Sequence, residues 1–198
     1  GTGGLQMFQA EIPGSVAEKI KPRIQETATI LWVTYIILSV TQALLLVLAG
    51  MPLYEAVIHT FGTMATGGFS SKNASIGYYN NPLIQWIIIV FMFMAGVNFA
   101  LYYQALRRRN LFYFWRNPEF KFYSVIIMTA IIIVALNLFF SGYEGGESLI
   151  RVASFQVVSI VTTTGFVTTD FDVWPSLSRT LLFFLMFVGG CYGSTSGS

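Results

Sequence analysis

Three long apolar runs without a charged residue alternate with shorter polar stretches along this chain. The runs cover residues 28–49, 83–106 and 122–142. Each has at least the roughly 20 residues that a helix needs to cross the ~30 Å hydrocarbon layer of a membrane. A single run could be the buried core helix of a soluble domain, but three runs in 198 residues predict an all-α integral membrane protein.

Two further apolar segments, residues 52–64 and 147–162, are too short to cross. The 13 residues of the first would form a helix about 20 Å long. Both segments lead into threonine- and glycine-rich stretches, residues 64–71 and 161–170. An ordinary extracellular loop is the alternative, but the apolar residues favour re-entrant pore helices that enter the membrane and return as an extended loop. Pro52 suits the first turn of the first short helix.

The order of long helix, short helix, polar loop and helix occurs twice. A shift of 98 residues places Thr66-Gly67 on Thr164-Gly165. We therefore predict two helix–pore-loop–helix repeats, residues 28–106 and 122–198, the second truncated in its outer helix. A cytoplasmic linker, residues 107–121, joins them, and residues 1–27 form a cytoplasmic or interfacial segment that follows a missing first repeat.

Composition and charge support a membrane protein and give its orientation. Hydrophobic residues make up 55% of the chain and charged residues 10%, whereas soluble domains carry about a quarter charged residues. Eight of the 11 basic residues fall within residues 19–23 and 107–121. The positive-inside rule places these segments in the cytoplasm and both polar stretches outside. We expect contact with membrane lipid and none with nucleic acid.

The sequence lacks the residues that an enzyme would need. It has one histidine and one cysteine, so it offers neither a cysteine-cluster metal site nor an internal disulfide. A coupled secondary transporter of a cation or small solute is the alternative function. Such transporters usually place ionisable residues inside their spans, and the absence of charge from the three runs favours a channel-like pore.

Oxygen atoms of the polar stretches are candidate cation ligands, because non-helical backbone at membrane depth is tolerated where it lines a water-filled path. Rings of backbone carbonyls replace the hydration shell of an ion in selectivity filters. Gly67 and Gly165 are expected to adopt positive φ, and Thr66 and Thr164 to contribute hydroxyl oxygens. The complete predicted ligand set is Ala65, Thr66, Gly67, Gly68, Thr163, Thr164, Gly165 and Phe166.

These stretches resemble those of a known family. FGTMATGGFS at residues 61–70 and KNASIGYY at residues 72–79 resemble the second filter region of Trk-type potassium-uptake membrane subunits. MFMAGVNFA at residues 92–100 resembles the helix that follows it, and TTTGF at residues 162–166 resembles the third filter. The stretches at residues 3–8 and 11–14 resemble the region after the family's first repeat.

The resemblance implies the superfamily of Trk, Ktr and plant HKT transporters, in which four helix–pore-loop–helix repeats surround one central path. This chain would supply the second repeat and most of the third. The implied function is potassium transport across the bacterial inner membrane by a multi-pass pore subunit, with potassium ion as the bound ligand. The implied partners are a second copy of the subunit, in a homodimer, and a cytosolic nucleotide-binding regulatory subunit.

The end of the chain provides a candidate gate. The apolar segment 177–188 leads into GGCYGSTSG at residues 189–197, and its glycines should interrupt the final helix inside the membrane. A solvent-exposed tail is the alternative, but the stretch lies cytoplasmic of the third filter and resembles the family's interrupted helix. The predicted gate residues are Gly189, Gly190, Gly193, Ser194 and Gly197.

Several isolated polar residues keep more than one interpretation. His59 has no clustered metal ligand near it, so we expect a packing or hydrogen-bonding role. Arg151 and Arg179 either pair with Glu147, Asp170 or Asp172, or repel cations from wrong routes. Asn98 and Asn137 either line the path or bond across helices. The preference for potassium over sodium, the coupling ion and the regulatory nucleotide stay open.

Overall fold

The computed structural model describes residues 17–108, 111–143 and 148–197, and within them the side chains of residues 28–105, 112–143 and 148–197. Residues 1–16 of the predicted interfacial segment, Arg109 of the linker and the acidic residue Glu147 lie outside the described residues. Every regular element in the described ranges is helical. The α-helices are α1 (Ala17–Leu48), α2 (Leu53–Met64), α3 (Pro82–Ala95), α4 (Phe99–Arg108), α5 (Pro118–Phe140), α6 (Leu149–Val161) and α7 (Ser176–Leu185), and the 3₁₀ helices are Ser75–Tyr78 and Leu111–Arg116.

Two described helices are long and apolar enough to cross a membrane. They are the Ala28–Leu48 part of α1 and the whole of α5, which confirms two of the three predicted crossings in length and composition. Large apolar side chains on both helices point outwards, among them Trp32, Leu48 and Phe140. Such surfaces are expected of helices whose surroundings are lipid, and α1 and α5 therefore identify a membrane protein.

The predicted third crossing is not one helix. The run at residues 83–106 is divided into α3 and α4, which meet at an angle of 95°. Gly96 ends α3, and the Asn98 side chain begins α4 by accepting a hydrogen bond from the N–H of Ala100. A Cβ on Gly96 would lie 2.3 Å from the Tyr123 hydroxyl, so only glycine fits at the bend. The prediction of a continuous span was wrong because this close contact with α5 is not visible in the hydropathy pattern.

The two short helices have the predicted limited length, 12 residues in α2 and 13 in α6. Pro52 flanks α2 with extended backbone (φ −55°, ψ 141°) instead of occupying its first turn, which corrects the prediction. Proline does occupy the first position of α3 and α5, where its missing N–H is not needed.

Helix α6 lies at the centre of the packing. It is surrounded by α3 from the first repeat and by α5 and α7 from the second. Nine of its 13 residues are buried, including the fully buried Phe155. A helix that is buried on all sides belongs to the interior. The second short helix is thus enclosed between the two repeats, while α2 packs against α1 and α3.

Candidate functional site

The loops that follow the two short helices have the same backbone conformation. We call residues 65–68 the first loop and residues 162–165 the second loop. Thr66 and Thr163 have φ of 48° and 55°, and Gly68 and Gly165 have φ of 63° and 83°. The repeat distance in the loops is therefore 97 residues, from 66 to 163 and from 68 to 165. The predicted shift of 98 residues was wrong by one position.

The correct register is marked by a Gly-Phe pair and not by the Thr-Gly pair. Gly68-Phe69 and Gly165-Phe166 occupy equivalent positions, and Thr162 becomes the counterpart of Ala65. The sequence alone favoured alignment of the two Thr-Gly pairs because they are identical. The structurally equivalent positions are one residue away from that alignment. The structure also corrects the expectation for Gly67, which does not have positive φ; Thr66 has it instead.

Left-handed conformations at two threonines are unusual. A residue with a Cβ pays roughly 1–2 kcal/mol for this conformation. Such strain persists where the surroundings determine the backbone, and it is concentrated at functional sites. Its recurrence at Thr66 and Thr163 indicates that both loops are held in one required shape.

Hydrogen bonds to the ends of the short helices hold that shape. The N–H groups of Gly67 and Gly68 donate to the Gly62 carbonyl at 2.9 and 3.1 Å. In the second loop, the N–H groups of Thr164 and Gly165 donate to the Ser159 carbonyl at 2.9 and 3.2 Å. Successive N–H groups converge on one oxygen when right- and left-handed residues alternate. The carbonyl oxygens of the same peptides are therefore free to point elsewhere.

Six loop carbonyl oxygens accept no hydrogen bond within the described part of the chain. By contrast, the Ala65 carbonyl accepts from the Thr66 hydroxyl at 2.8 Å, and the Phe166 carbonyl accepts from the Ser159 hydroxyl at 2.7 Å. These two predicted ligands already have protein partners. The unpaired carbonyls belong to Thr66, Gly67, Gly68, Thr163, Thr164 and Gly165.

The threonine hydroxyls also bond to the protein. Thr162 donates to the Val158 carbonyl at 2.7 Å, so its oxygen is left to accept from the Thr164 hydroxyl at 2.8 Å. The single proton of the Thr66 hydroxyl is shared between the carbonyls of Ala65 at 2.8 Å and Thr195 at 2.9 Å. The hydroxyls of Thr66 and Thr164 thus fix the loops, and the backbone presents the free oxygen atoms.

The two loops lie against each other. A Cβ on Gly68 would lie 2.0 Å from the Thr164 carbonyl oxygen, so the first loop approaches the second as closely as glycine permits. Further along, the Gly77 N–H donates to the Val167 carbonyl at 3.1 Å. The structure thus brings the two predicted ligand stretches, almost a hundred residues apart in sequence, to one place.

The glycine-rich loop, residues 189–197, lies next to these loops and packs against the bend between α3 and α4. The Cys191 N–H donates to the Gly96 carbonyl at 2.8 Å, and the Phe99 N–H donates to the Gly193 carbonyl at 3.1 Å. Gly189 and Gly193 have φ of 62° and 74°. Because Cys191 is 3% exposed, the stretch is docked in the protein and is not a solvent-exposed tail.

The same glycine-rich loop touches both the first loop and the second loop. The Ser196 hydroxyl donates to the Thr162 carbonyl at 2.7 Å, and the Gly197 N–H donates to the Thr163 hydroxyl at 2.9 Å. The Thr195 carbonyl is the acceptor for Thr66. Gly190 is packed so closely that a Cβ would lie 2.6 Å from that of Ser196.

A polar network lies at the opposite, N-terminal end of α2. Lys72 forms an ion pair with Glu55 at 2.6 Å, and Tyr79 also donates to the Glu55 carboxylate. The hydrogen bond from Lys72 holds the pKa of Glu55 below its usual value. Farther along, Arg151 donates to the Gln85 side chain at 2.8 Å, which joins α6 to α3.

Other residues with open roles now have defined positions. Asn137 accepts a hydrogen bond from Ser178 at 2.7 Å and therefore bonds across α5 and α7. Asn98 lies beside Gly193, at the bend. No group of three His, Cys, Asp or Glu residues within the described ranges could hold a metal ion. Residues 65–68 and 162–165 carry no charged side chain, so the oxygen atoms that the two loops present are neutral.

Comparisons with known proteins agree on one family. The family model for TrkH, a cation transport protein, matches residues 1–198. The Trk system potassium uptake protein TrkH of Salmonella typhimurium is 43% identical over 199 residues, which cover 100% of this chain and 41% of that protein. TrkG of Escherichia coli K12, also a Trk system potassium uptake protein, is 35% identical over 100% of this chain and 41% of its own length.

A solved structure has the same fold. The crystal structure of the potassium transporter TrkH from Vibrio parahaemolyticus matches with a TM-score of 0.84 and 40% identity. The match covers 89% of this chain and 38% of that one. The chain thus spans about 41% of the length of the curated relatives it matches.

Proposed function

The chain belongs to the TrkH family of cation transport proteins, and we propose that it forms two of four pore repeats in a potassium-uptake subunit of the bacterial inner membrane. The observation that carries the proposal is the contact between two loops of matching backbone conformation, six of whose carbonyls accept no hydrogen bond in the described part of the chain. The relatives named as potassium uptake proteins support potassium as the ion.

In this proposal, the loop carbonyls replace the water molecules around a potassium ion. Carbonyl dipoles attract the ion without the full charge of a carboxylate, so that binding is favourable but release stays possible. The C-terminal ends of α2 and α6 carry partial negative charge and point towards the same region. We revise the ligand set by omitting Ala65 and Phe166, whose carbonyls are engaged. The proposed carbonyl ligands belong to Thr66, Gly67, Gly68, Thr163, Thr164 and Gly165.

We further propose that the glycine-rich loop is a gate. Its hydrogen bonds to Thr66, Thr162 and Thr163 hold it against the ion-facing loops in the closed state. Each hydrogen bond contributes about 1 kcal/mol net. A few such bonds stabilise the closed state by only a few kcal/mol, so the loop can still open. A homodimer and a cytosolic nucleotide-binding subunit are the proposed partners of the complete protein.

The test is potassium uptake by a deficient bacterium that carries the complete gene. Gly165→Asp places a carboxylate in the second loop, where it should hold the ion and abolish rescue. Gly142→Asp is a matched control, because both glycines have positive φ (83° and 65°) and open space at the Cβ position. Asp tolerates this conformation better than most residues. Rescue by Gly165→Asp equal to that by Gly142→Asp would refute the proposed ion path.

A further inference from the structure

His59 is fully buried in α2, and no step of the proposed ion path uses it. It lies in the last two turns of the helix, close to the point where the chain enters the first loop. Both ring nitrogens have hydrogen-bond partners: the Glu55 carbonyl at 2.7 Å from Nδ1 and the Ser70 hydroxyl at 2.8 Å from Nε2. Ser70 follows the first loop by two residues, so His59 connects the two ends of that loop.

The direction of each bond follows from its acceptor. A carbonyl oxygen cannot donate, so Nδ1 carries the hydrogen and donates to Glu55. In the neutral ring, Nε2 then accepts from the Ser70 hydroxyl, whose oxygen accepts from the Lys72 N–H at 3.1 Å. A complete chain therefore runs from the Lys72 backbone through Ser70 and the neutral imidazole into α2.

The same ring also contacts the second repeat. Its centroid lies 5.9 Å from that of Phe166 and 5.4 Å from that of Tyr79, the latter edge to face. Phe166 directly follows Gly165, and its carbonyl is held by the Ser159 hydroxyl. A Cβ on Gly62 would lie 2.9 Å from the tip of the Phe166 ring. The Phe166 side chain thus packs tightly against α2, where it contacts Gly62 and the His59 ring.

The second repeat has no equivalent of this connection. At a separation of 97 residues, the counterpart of His59 is Gln156 and that of Ser70 is Val167, which has no hydroxyl. The Gln156 side-chain oxygen is buried without a partner among the described residues. One imidazole in the first repeat therefore serves both loops: it bonds to the segment after the first and packs against the segment after the second.

We propose that His59 is a positioning residue that sets the spacing of the two ion-coordinating loops and thereby the discrimination between potassium and sodium. The inference rests on the proposed function. Carbonyls can distinguish two alkali ions only while their number and positions are maintained. Loss of the bond between His59 and Ser70 would loosen the segment directly after Gly68, leaving the Lys72–Glu55 ion pair to tie it to α2, without removing any ligand.

The experiment uses the complete protein in proteoliposomes and measures potassium uptake in competition with sodium. His59→Asn reaches only the Nδ1 position and leaves Ser70 unpaired; Ser70→Ala removes the same bond from the other side. One lost hydrogen bond corresponds to roughly fivefold in an equilibrium constant. We expect both variants to lower potassium-over-sodium discrimination by about fivefold, with a smaller change in maximal rate.

His59→Gln is the rescue variant, because its amide oxygen can accept from Ser70 at the Nε2 position. We expect it to keep discrimination within about twofold of the parent. The double variant His59→Asn with Ser70→Ala should lose less than the sum of the two single losses, because both substitutions remove the bond between His59 and Ser70. Additive losses in the double variant would overturn the proposal.

A purely structural role has a different signature. It would lower the amount of folded protein and the maximal rate while discrimination stayed unchanged, and that result in both His59→Asn and Ser70→Ala would also overturn the proposal. Ser70→Ala is the variant expected to fold normally, because Ser70 is only partly buried and the substitution leaves the His59 side chain unchanged. Gly165→Asp runs in parallel. If that variant transports normally, the ion path itself is wrong, which distinguishes this failure from an error about His59.

Discussion

The hydroxyl of Ser196 donates a 2.7 Å hydrogen bond to the carbonyl of Thr162, where α6 ends and the second loop begins. This bond joins the glycine-rich loop directly to the backbone of the second loop. Both residues are at least nine-tenths buried, so water does not readily replace the bond. The proposed gate is thus hydrogen-bonded directly to the backbone of the proposed ion-coordinating loop. Movement of the glycine-rich loop away from this position would break that bond.

We predict that Ser196→Ala increases potassium flux through the complete protein by about fivefold, because the closed loop loses one hydrogen bond of about 1 kcal/mol. Rubidium uptake into proteoliposomes would measure the change. Ser176→Ala is the control: it makes the same substitution at an exposed serine in the first turn of α7, outside the glycine-rich loop. Equal flux in the two variants, at equal thermal stability, would contradict the gate.

Gly68→Ala should reduce potassium uptake more than tenfold, whereas Gly67→Ala should stay within about threefold of the parent. Gly68 has positive φ, and its added Cβ would lie 2.0 Å from the Thr164 carbonyl oxygen. The Cβ of Gly67→Ala would meet only the Phe69 ring, at 3.3 Å, and a ring edge can shift by a few tenths of an ångström. Growth of the deficient bacterium at limiting potassium measures both. Greater damage from Gly67→Ala would favour the repeat distance of 98 residues over 97.

The ion pair of Glu55 with Lys72 should make stability depend on pH. The pKa of Glu55 lies below its usual value of 4.5, first because Lys72 bonds to the carboxylate. A lowered folded-state pKa contributes stability above the unfolded-state pKa, and this contribution disappears as the pH falls through the folded-state value. Glu55→Gln should therefore lower the melting temperature at pH 7.

The difference between Glu55→Gln and the parent should shrink as the pH falls below about 4.5, the usual pKa of the carboxyl. Thermal unfolding of the detergent-solubilised complete protein across that range measures it. Lys72→Gln removes the same pair from the other side and should not add to the effect of Glu55→Gln at pH 7. A difference that stays constant down to pH 3 would show that the carboxylate charge is not the source.

Much of the fold could be predicted from local features. Apolar runs identified α1 and α5, and the limited length of the segments before the two loops identified α2 and α6. The hydropathy pattern did not predict the bend at Gly96, where the chain packs closely against the Tyr123 hydroxyl of another helix. Gly96 and Asn98 were local signals for a break, but the apolar residues around them predicted a continuous span.

The sequence indicated where the two loops lie but not their detailed geometry. Threonine and glycine next to short helices indicated both loops, and the structure brings them into contact. The register, the hydrogen bonds that occupy the Ala65 and Phe166 carbonyls, and the supporting roles of Gly62 and Ser159 were missed. A small residue two positions before the end of each short helix was the available signal, and it is too common to be recognised by itself.

The sequence by itself determined the class of protein, the limited length of the two short helices and the position of the two loops, because hydropathy and backbone freedom are properties of neighbouring residues. Only the tertiary structure decided the distance between repeats, the bend between α3 and α4, and the connection through His59. Each of these depends on contacts between atoms far apart in the chain, such as Gly68 with Thr164 and His59 with Phe166. One-dimensional patterns contain no information about such distances.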